Sequence, residues 1–281
     1  MWIDTHCHLD ASDFDADRNA VLDAATQAGV TGVVLPAVAA WNFDAVRRLA
    51  HADARCVYAL GIHPLCSIAA GQADLDTLRR EVAASMDDPR FVGIGEIGLD
   101  FFVKTLDADH QTWLYVEQLK IAREFDLPVL LHVRKSQDQV FAPLRRIGVT
   151  RGIAHAFNGS EVQAQRYVEQ GLKLGFGGNV TFDRARQIRR LAVSLPLDAI
   201  VLETDAPDIA PAWLTDGQFG EQRNVRNTPA EVAGVARVVR ELRGIDAHTL
   251  AQATWRNAVA AMPRLGAFAA QMAPPSLSAT N

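Results

Sequence analysis

Residues 128–157 read PVLLHVRKSQDQVFAPLRRIGVTRGIAHAF. Val129–Val133 is a short, almost wholly apolar run, Ser136–Ile147 carries its apolar residues on one helical face, and Gly152–Ala154 begins a second apolar run. Near-continuous apolarity is the pattern of a strand buried on both faces, as in a parallel sheet covered by helices. A helix between two such strands makes a crossover connection and joins parallel neighbours. A histidine stands at or just past the end of each run, His132 and His155.

The same unit recurs on both sides. Trp2–Thr5, Gly32–Leu35, Cys56–Leu60, Phe91–Ile94, Leu172–Phe176 and Ala199–Leu202 read as further strands. Asp15–Ala28, Asn42–Ala52, Asp74–Met86, His110–Phe125, Glu161–Gln170 and Arg184–Ser194 place apolar residues at helical spacing between them. Eight strand–helix units predict an α/β fold, a TIM (β/α)8 barrel forming a single domain over residues 1–262. An open doubly wound sheet is the competing architecture, but the first turn lacks a GxGxxG phosphate loop. Residues 263–281, rich in Ala, Pro and Ser, read as a C-terminal tail that is partly mobile.

Composition narrows the class. The chain has 281 residues, 49% hydrophobic and 22% charged, which excludes a disordered chain. It contains no apolar run of membrane-spanning length. The opening MWIDTHCHLD has neither the basic nor the apolar region of a secretory signal. Three cysteines, Cys7, Cys56 and Cys66, form no CxxC pair, so a reducing, cytoplasmic setting is expected rather than a disulfide framework. A net charge of −5 argues against coating nucleic acid through bulk charge, while leaving room for a local positive site. A monomer is the expected state.

The rare polar residues fall in one place on this map. His6 and His8 follow strand 1, His63 strand 3, Glu96 strand 4 and Asp205 strand 8, while His132 ends strand 5 and His155 lies just past strand 6. In an α/β barrel the carboxyl ends of the strands build the active site, with residues supplied by several strands. An HxH pair in extended chain points both imidazoles to one side, as a shared metal requires. Glu96 lies in GIGEIGLD, where a buried carboxylate needs a cationic partner. Taken singly, His132 and His155 read as hydrogen-bonded core histidines, and Asp205 as the cap of a helix with Pro207 in its first turn. Convergence of all seven favours a metal site. Alternation points Cys7 away from its two neighbours, and His51, His110 and His248 read as surface residues.

The segments DTHCHLD, GIHP, GEIGLD, LHVRKS, AHAFNGS and LETDAPDIAP occur in this order over residues 1–262. Together they resemble the TatD family of metal-dependent deoxyribonucleases within the amidohydrolase superfamily, nearest its YjjV-like branch. The resemblance implies a two-metal centre. His6, His8 and Asp205 would hold one divalent ion, His132 and His155 a second, and Glu96 would bridge them. His63 would contact a substrate phosphate or water, and Asp205 would orient the hydrolytic water and accept its proton. The imidazole-rich set suits Zn, Mn, Co or Ni, with Mg also used in the family. The implied partner is DNA or an oligonucleotide, cut from a 3′ end. A small-molecule amidohydrolase, lactonase or phosphoesterase is the alternative on the same barrel. Glu96, where many amidohydrolases carbamylate a lysine, favours the nuclease. Arg134 is a candidate phosphate contact, or else the partner of a barrel carboxylate; Arg223 and Arg226, in the loop after strand 8, are candidates too. This chain departs from the common HCFSGS or HGFSGS pattern at Asn158, and Ala206–Thr228 is long, so the substrate loop is expected to be its own.

Overall fold

The computed structural model describes residues 1–215, 217 and 225–272. In chain order its main elements are β1 (Trp2–Asp4), α1 (Arg18–Gln27), β2 (Val30–Pro36), α2 (Phe43–Ala52), β3 (Cys56–Leu60), α3 (Gln72–Ser85), β4 (Phe91–Asp100) and α4 (Ala108–Glu124). There follow β5 (Val129–Arg134), α5 (Gln137–Ile147), β6 (Gly152–Ala154), α6 (Glu161–Glu169), β7 (Leu172–Phe176), α7 (Arg186–Ser194), β8 (Ile200–Leu202), α8 (Val232–Arg243), α9 (Ala247–Ala261) and α10 (Leu265–Met272). The eight strands lie in sequence order, every adjacent pair parallel. The expected α/β barrel is therefore present. Its seam is drawn together by Thr5 N donating to Leu202 O (3.1 Å), Asp205 N to His6 O (2.8 Å) and His8 N to Ala206 O (2.8 Å).

Two apolar layers hold it. Alternate strand residues such as Leu35, Tyr58, Phe91, Leu131, Leu174 and Leu202 pack against the surrounding helices. The other set, Ile3, Val34, Val57, Val92, Leu130, Ile153 and Val201, fills the barrel interior together with Ala258, Met262, Leu265 and Phe268. Period-two alternation fixes what comes next on the inward face. Glu96 stands four residues beyond Val92, His132 two beyond Leu130, His155 two beyond Ile153, and Asp205 four beyond Val201. The inward face thus changes from apolar below to ligating above.

Three readings need correction. The strand read as ending at Ile94 runs on to Asp100, because its glycines let β5 approach closely and the ladder continues to Arg134. The packed chain does not stop at residue 262. Leu265 and Phe268 are buried, and Phe268 sits under Gly32, so α10 closes the amino-terminal mouth of the barrel. Burial of an aromatic ring keeps this segment in place where an Ala-rich composition suggested a tail; residues 273–281 lie outside the described residues. Finally, Asp205 caps no helix. Its N–H is spent on His6 O, its own carbonyl accepts from Asp208 N (2.8 Å), and the chain turns there with a left-handed residue at Asp205 (φ 59°). Aspartate tolerates that region better than most residues.

Candidate metal centre

Seven side chains foreseen from the sequence converge at the carboxyl end of the barrel, and Glu96 is their hub. Its Oε2 lies 3.1 Å from His6 Nε2 and 3.2 Å from His8 Nε2. Its Oε1 lies 2.9 Å from His132 Nδ1, 3.1 Å from His155 Nε2 and 3.3 Å from His63 Nε2. The two oxygens of one buried carboxylate thus divide five imidazoles into a pair and a trio. Asp205 closes the pair's side, with Oδ1 3.5 Å from His6 Nε2 and 3.6 Å from His8 Nε2. His6 and His155 stack at 3.9 Å between ring centroids, joining the two groups. Ligand atoms of His6, His8 and Glu96, of His6, His155 and Asp205, and of His63, Glu96 and His132 lie close enough in each group to share an ion. Five imidazoles and two carboxylates gathered this closely form a borderline-soft set that fits divalent cations.

Second contacts fix which nitrogen faces the centre. Leu65 N–H donates to His63 Nδ1 (3.1 Å), which puts the proton of neutral His63 on Nε2. Neutral His63 therefore faces the centre as a donor. His132 turns Nε2 back to Asp100 Oδ2 at 3.1 Å and presents Nδ1 forward. Asp100 in turn accepts from the Phe102 and Val103 N–H groups. Asp4, fully buried, accepts from His6 N, Thr204 N and Thr204 Oγ1, tying β1 to the end of β8. Asp4, Asp100 and Glu203 are buried carboxylates beside the candidate ligands that a reading of ligands alone passes over. Their signal is position: each lies two or four residues from a ligand, on extended chain.

The electrostatics are those of buried carboxylates ringed by imidazoles. Burial pushes the Glu96 carboxyl up, but the charges of His63, His6 and His155 and the bond to His132 outweigh it and hold Glu96 well below the usual range. Burial likewise opposes protonation of His8, yet the hydrogen bond to Glu96 and the charges of Glu96, Asp205 and Asp10 raise it to about 9. His132 and His155 are raised for the same reason, burial being outweighed by Asp100 and Glu96 at one and by Asp205 and Glu96 at the other. His6 falls to about 3, by burial first and the neighbouring His155 second. Burial lifts Asp205 to about 6.

The family model described as TatD related DNase matches residues 3–262. The chain belongs to the TatD family. Over 257 residues it is 39% identical to the metal-dependent hydrolase YjjV of Escherichia coli, covering 91% of this chain and 95% of that protein. The crystal structure of Escherichia coli YjjV superposes with a TM-score of 0.86 at 38% identity, covering 93% of this chain and 98% of the other. A TatD family hydrolase from Entamoeba histolytica, 20% identical with a TM-score of 0.79 over 93% of this chain and 97% of that one, shares the fold. Its TatD relatives thus place this chain in a family of metal-dependent hydrolases.

The candidate substrate contacts fare unevenly. Arg134 is half exposed, 3.6 Å from Asp100 Oδ2, with its guanidinium 4.0 Å from the centre of the exposed Phe102 ring. It pairs with a barrel carboxylate and still faces solvent at the rim. Arg226 is committed elsewhere, gripping Asp17 with two bonds (2.8 and 2.7 Å), donating to Asp13 O and lying over Phe14. Arg223 lies outside the described residues. Asn158 is exposed, and its carbonyl accepts from Gln137. His110, read as a surface residue, is half-buried and bonds the Ser67 and Ala70 carbonyls, pinning the loop after β3. Among the described residues, no helix is long and apolar enough to cross a membrane.

Proposed function

We propose that this chain is a divalent-metal-dependent phosphodiesterase that removes nucleotides from a 3′ end of DNA in the cytoplasm, through a centre for two cations. What carries the two-cation reading is the division of five imidazoles between the two oxygens of Glu96. His6, His8 and Asp205 would hold one cation, His132 and His155 the other, and Glu96 both. Zn, Mn, Co, Ni and Mg are the candidates. When bound, such ions supply Lewis-acid charge to phosphoryl oxygens and ease the ionisation of water.

This chain's residues do the rest. Asp205 stands at the open edge, 15% exposed, where its free oxygen can orient a water and take its proton. His63, with its proton on Nε2, donates to a phosphoryl oxygen. Arg134 sits at the rim, where a phosphate one step along the strand would meet its charge. A glutamate in the bridging position and the match to a model described as a TatD related DNase support DNA over a small amide or lactone.

The test is a turnover screen after reconstitution with Zn, Mn and Mg, setting 3′-labelled oligonucleotides against ester, lactone and amide panels. Release of the 3′ label on a single nucleotide is the expected result. Turnover confined to a small-molecule panel would replace the nuclease reading with the amidohydrolase one.

A further inference from the structure

Glu203 is fully buried, two residues before Asp205 and on the same inward register. Its Oε1 accepts the Ala156 N–H and lies 3.5 Å from His155 Nδ1. Neither His155 Nδ1 nor Glu203 Oε2 has a hydrogen-bond partner. An unsatisfied buried polar atom destabilises the fold, and more so when charged. Here a nitrogen able to donate and a carboxylate oxygen able to accept sit on side chains already in contact. The fold keeps the carboxylate in place: Glu203 N donates to Phe176 O (3.2 Å), and a Cβ at Gly175 would overlap the carboxylate itself. Within the trio, Asp100 already plays the matching part behind His132. His6 has no such carboxylate, and its Nδ1 is buried without a partner.

We propose that Glu203 is a positioning residue: its carboxylate accepts a hydrogen bond from His155 Nδ1–H and so keeps the Nε2 lone pair turned to the Glu96 side of the centre. A ligating imidazole backed by a carboxylate is fixed in tautomer and orientation and made more basic. Both imidazoles assigned to the second cation, His132 and His155, then have a carboxylate behind them. This deepens the metal-centre reading above and rests on it.

The test measures zinc binding, not turnover. Wild type, Glu203→Leu and Glu203→Gln are titrated with Zn²⁺ against a chromophoric chelator at one fixed pH. Glu203→Leu should weaken one equivalent by about 10–100-fold and leave the other unchanged. Glu203→Gln, whose amide oxygen can accept the same hydrogen bond, should stay within about tenfold of wild type. In zinc-loaded wild type labelled with ¹⁵N-histidine, the His155 ring should carry its proton on Nδ1. Wild-type affinity for both equivalents in Glu203→Leu overturns the proposal, as does a proton on His155 Nε2. If Glu203→Leu fails to fold, the Gln variant and the ring spectrum decide by the same criteria. A wild-type protein that takes up no zinc overturns the metal centre, and this role with it.

Discussion

Replacing Glu96 by Gln keeps the side-chain shape and removes one negative charge from between two groups of imidazoles. Oε2 serves His6 and His8, and Oε1 serves His63, His132 and His155, so the change strips the anionic donor from both sides at once. Substitutions behind a ligand cost about 10–100-fold in metal affinity, so loss of a direct donor should cost at least about 100-fold at each site. Metal content after desalting should fall from two equivalents toward none. The His6→Ala/His8→Ala double variant disturbs only the Oε2 side and should lose about half. Thermal melting gives a second reading. A cation at 100 times its Kd stabilises the folded state by about 2.7 kcal/mol. For a domain of this size 1 kcal/mol moves Tm by roughly 2–4 °C, so each filled site should add roughly 5–10 °C. Wild type should show this rise on zinc addition and lose it to chelator, and Glu96→Gln should show none. The reasoning is refuted if Glu96→Gln retains two equivalents, or loses only one as the double histidine variant does.

Three further outcomes are expected. Asp205→Asn should lower kcat by about 10²–10⁴-fold while changing metal content little, since an amide oxygen can still ligate but cannot take a proton; near-wild-type turnover would return Asp205 to a structural role. Zinc uptake at neutral pH should release protons, and affinity should rise with pH. The raised His8, His132 and His155 are protonated below their pKa values in the metal-free protein and must be neutral to ligate. Titration calorimetry in buffers of different ionisation heat checks this, and a buffer-independent heat would refute it. In the slow Asp205→Asn background, Arg134→Ala should flatten the dependence of log Kd for a single-stranded oligonucleotide on log salt by about 0.7, the contribution of one phosphate. Arg226→Ala should leave that slope unchanged, because Asp17 already holds its charge. Equal slopes for wild type and Arg134→Ala would clear Arg134 of phosphate contact.

Much of the barrel is legible in the chain because its rules are local. Apolar runs such as Val129–Val133 and the helical spacing of Ser136–Ile147 record a strand and a crossover helix without knowledge of the rest. The convergence of the candidate ligands is legible too, since alternation carries an inward apolar residue to an inward polar one two or four places on, and parallel strands bring all those ends to one mouth. What tertiary structure decided lies in contacts between distant segments. The pairing of Phe268 with Gly32, the extension of β4 to Asp100, and the commitment of Arg226 to Asp17 join residues far apart in the chain, so no window of sequence contains both partners. The same holds inside the centre. That Asp100 backs His132 and that Glu203 faces His155 depend on which atom of a ring or carboxylate meets which neighbour at 3.1 and 3.5 Å. Spacing can place two side chains on the same face. Only closure of the barrel selects the atoms that touch, because hydrogen bonds weaken steeply with distance and angle, and both are set by backbone brought in from other strands.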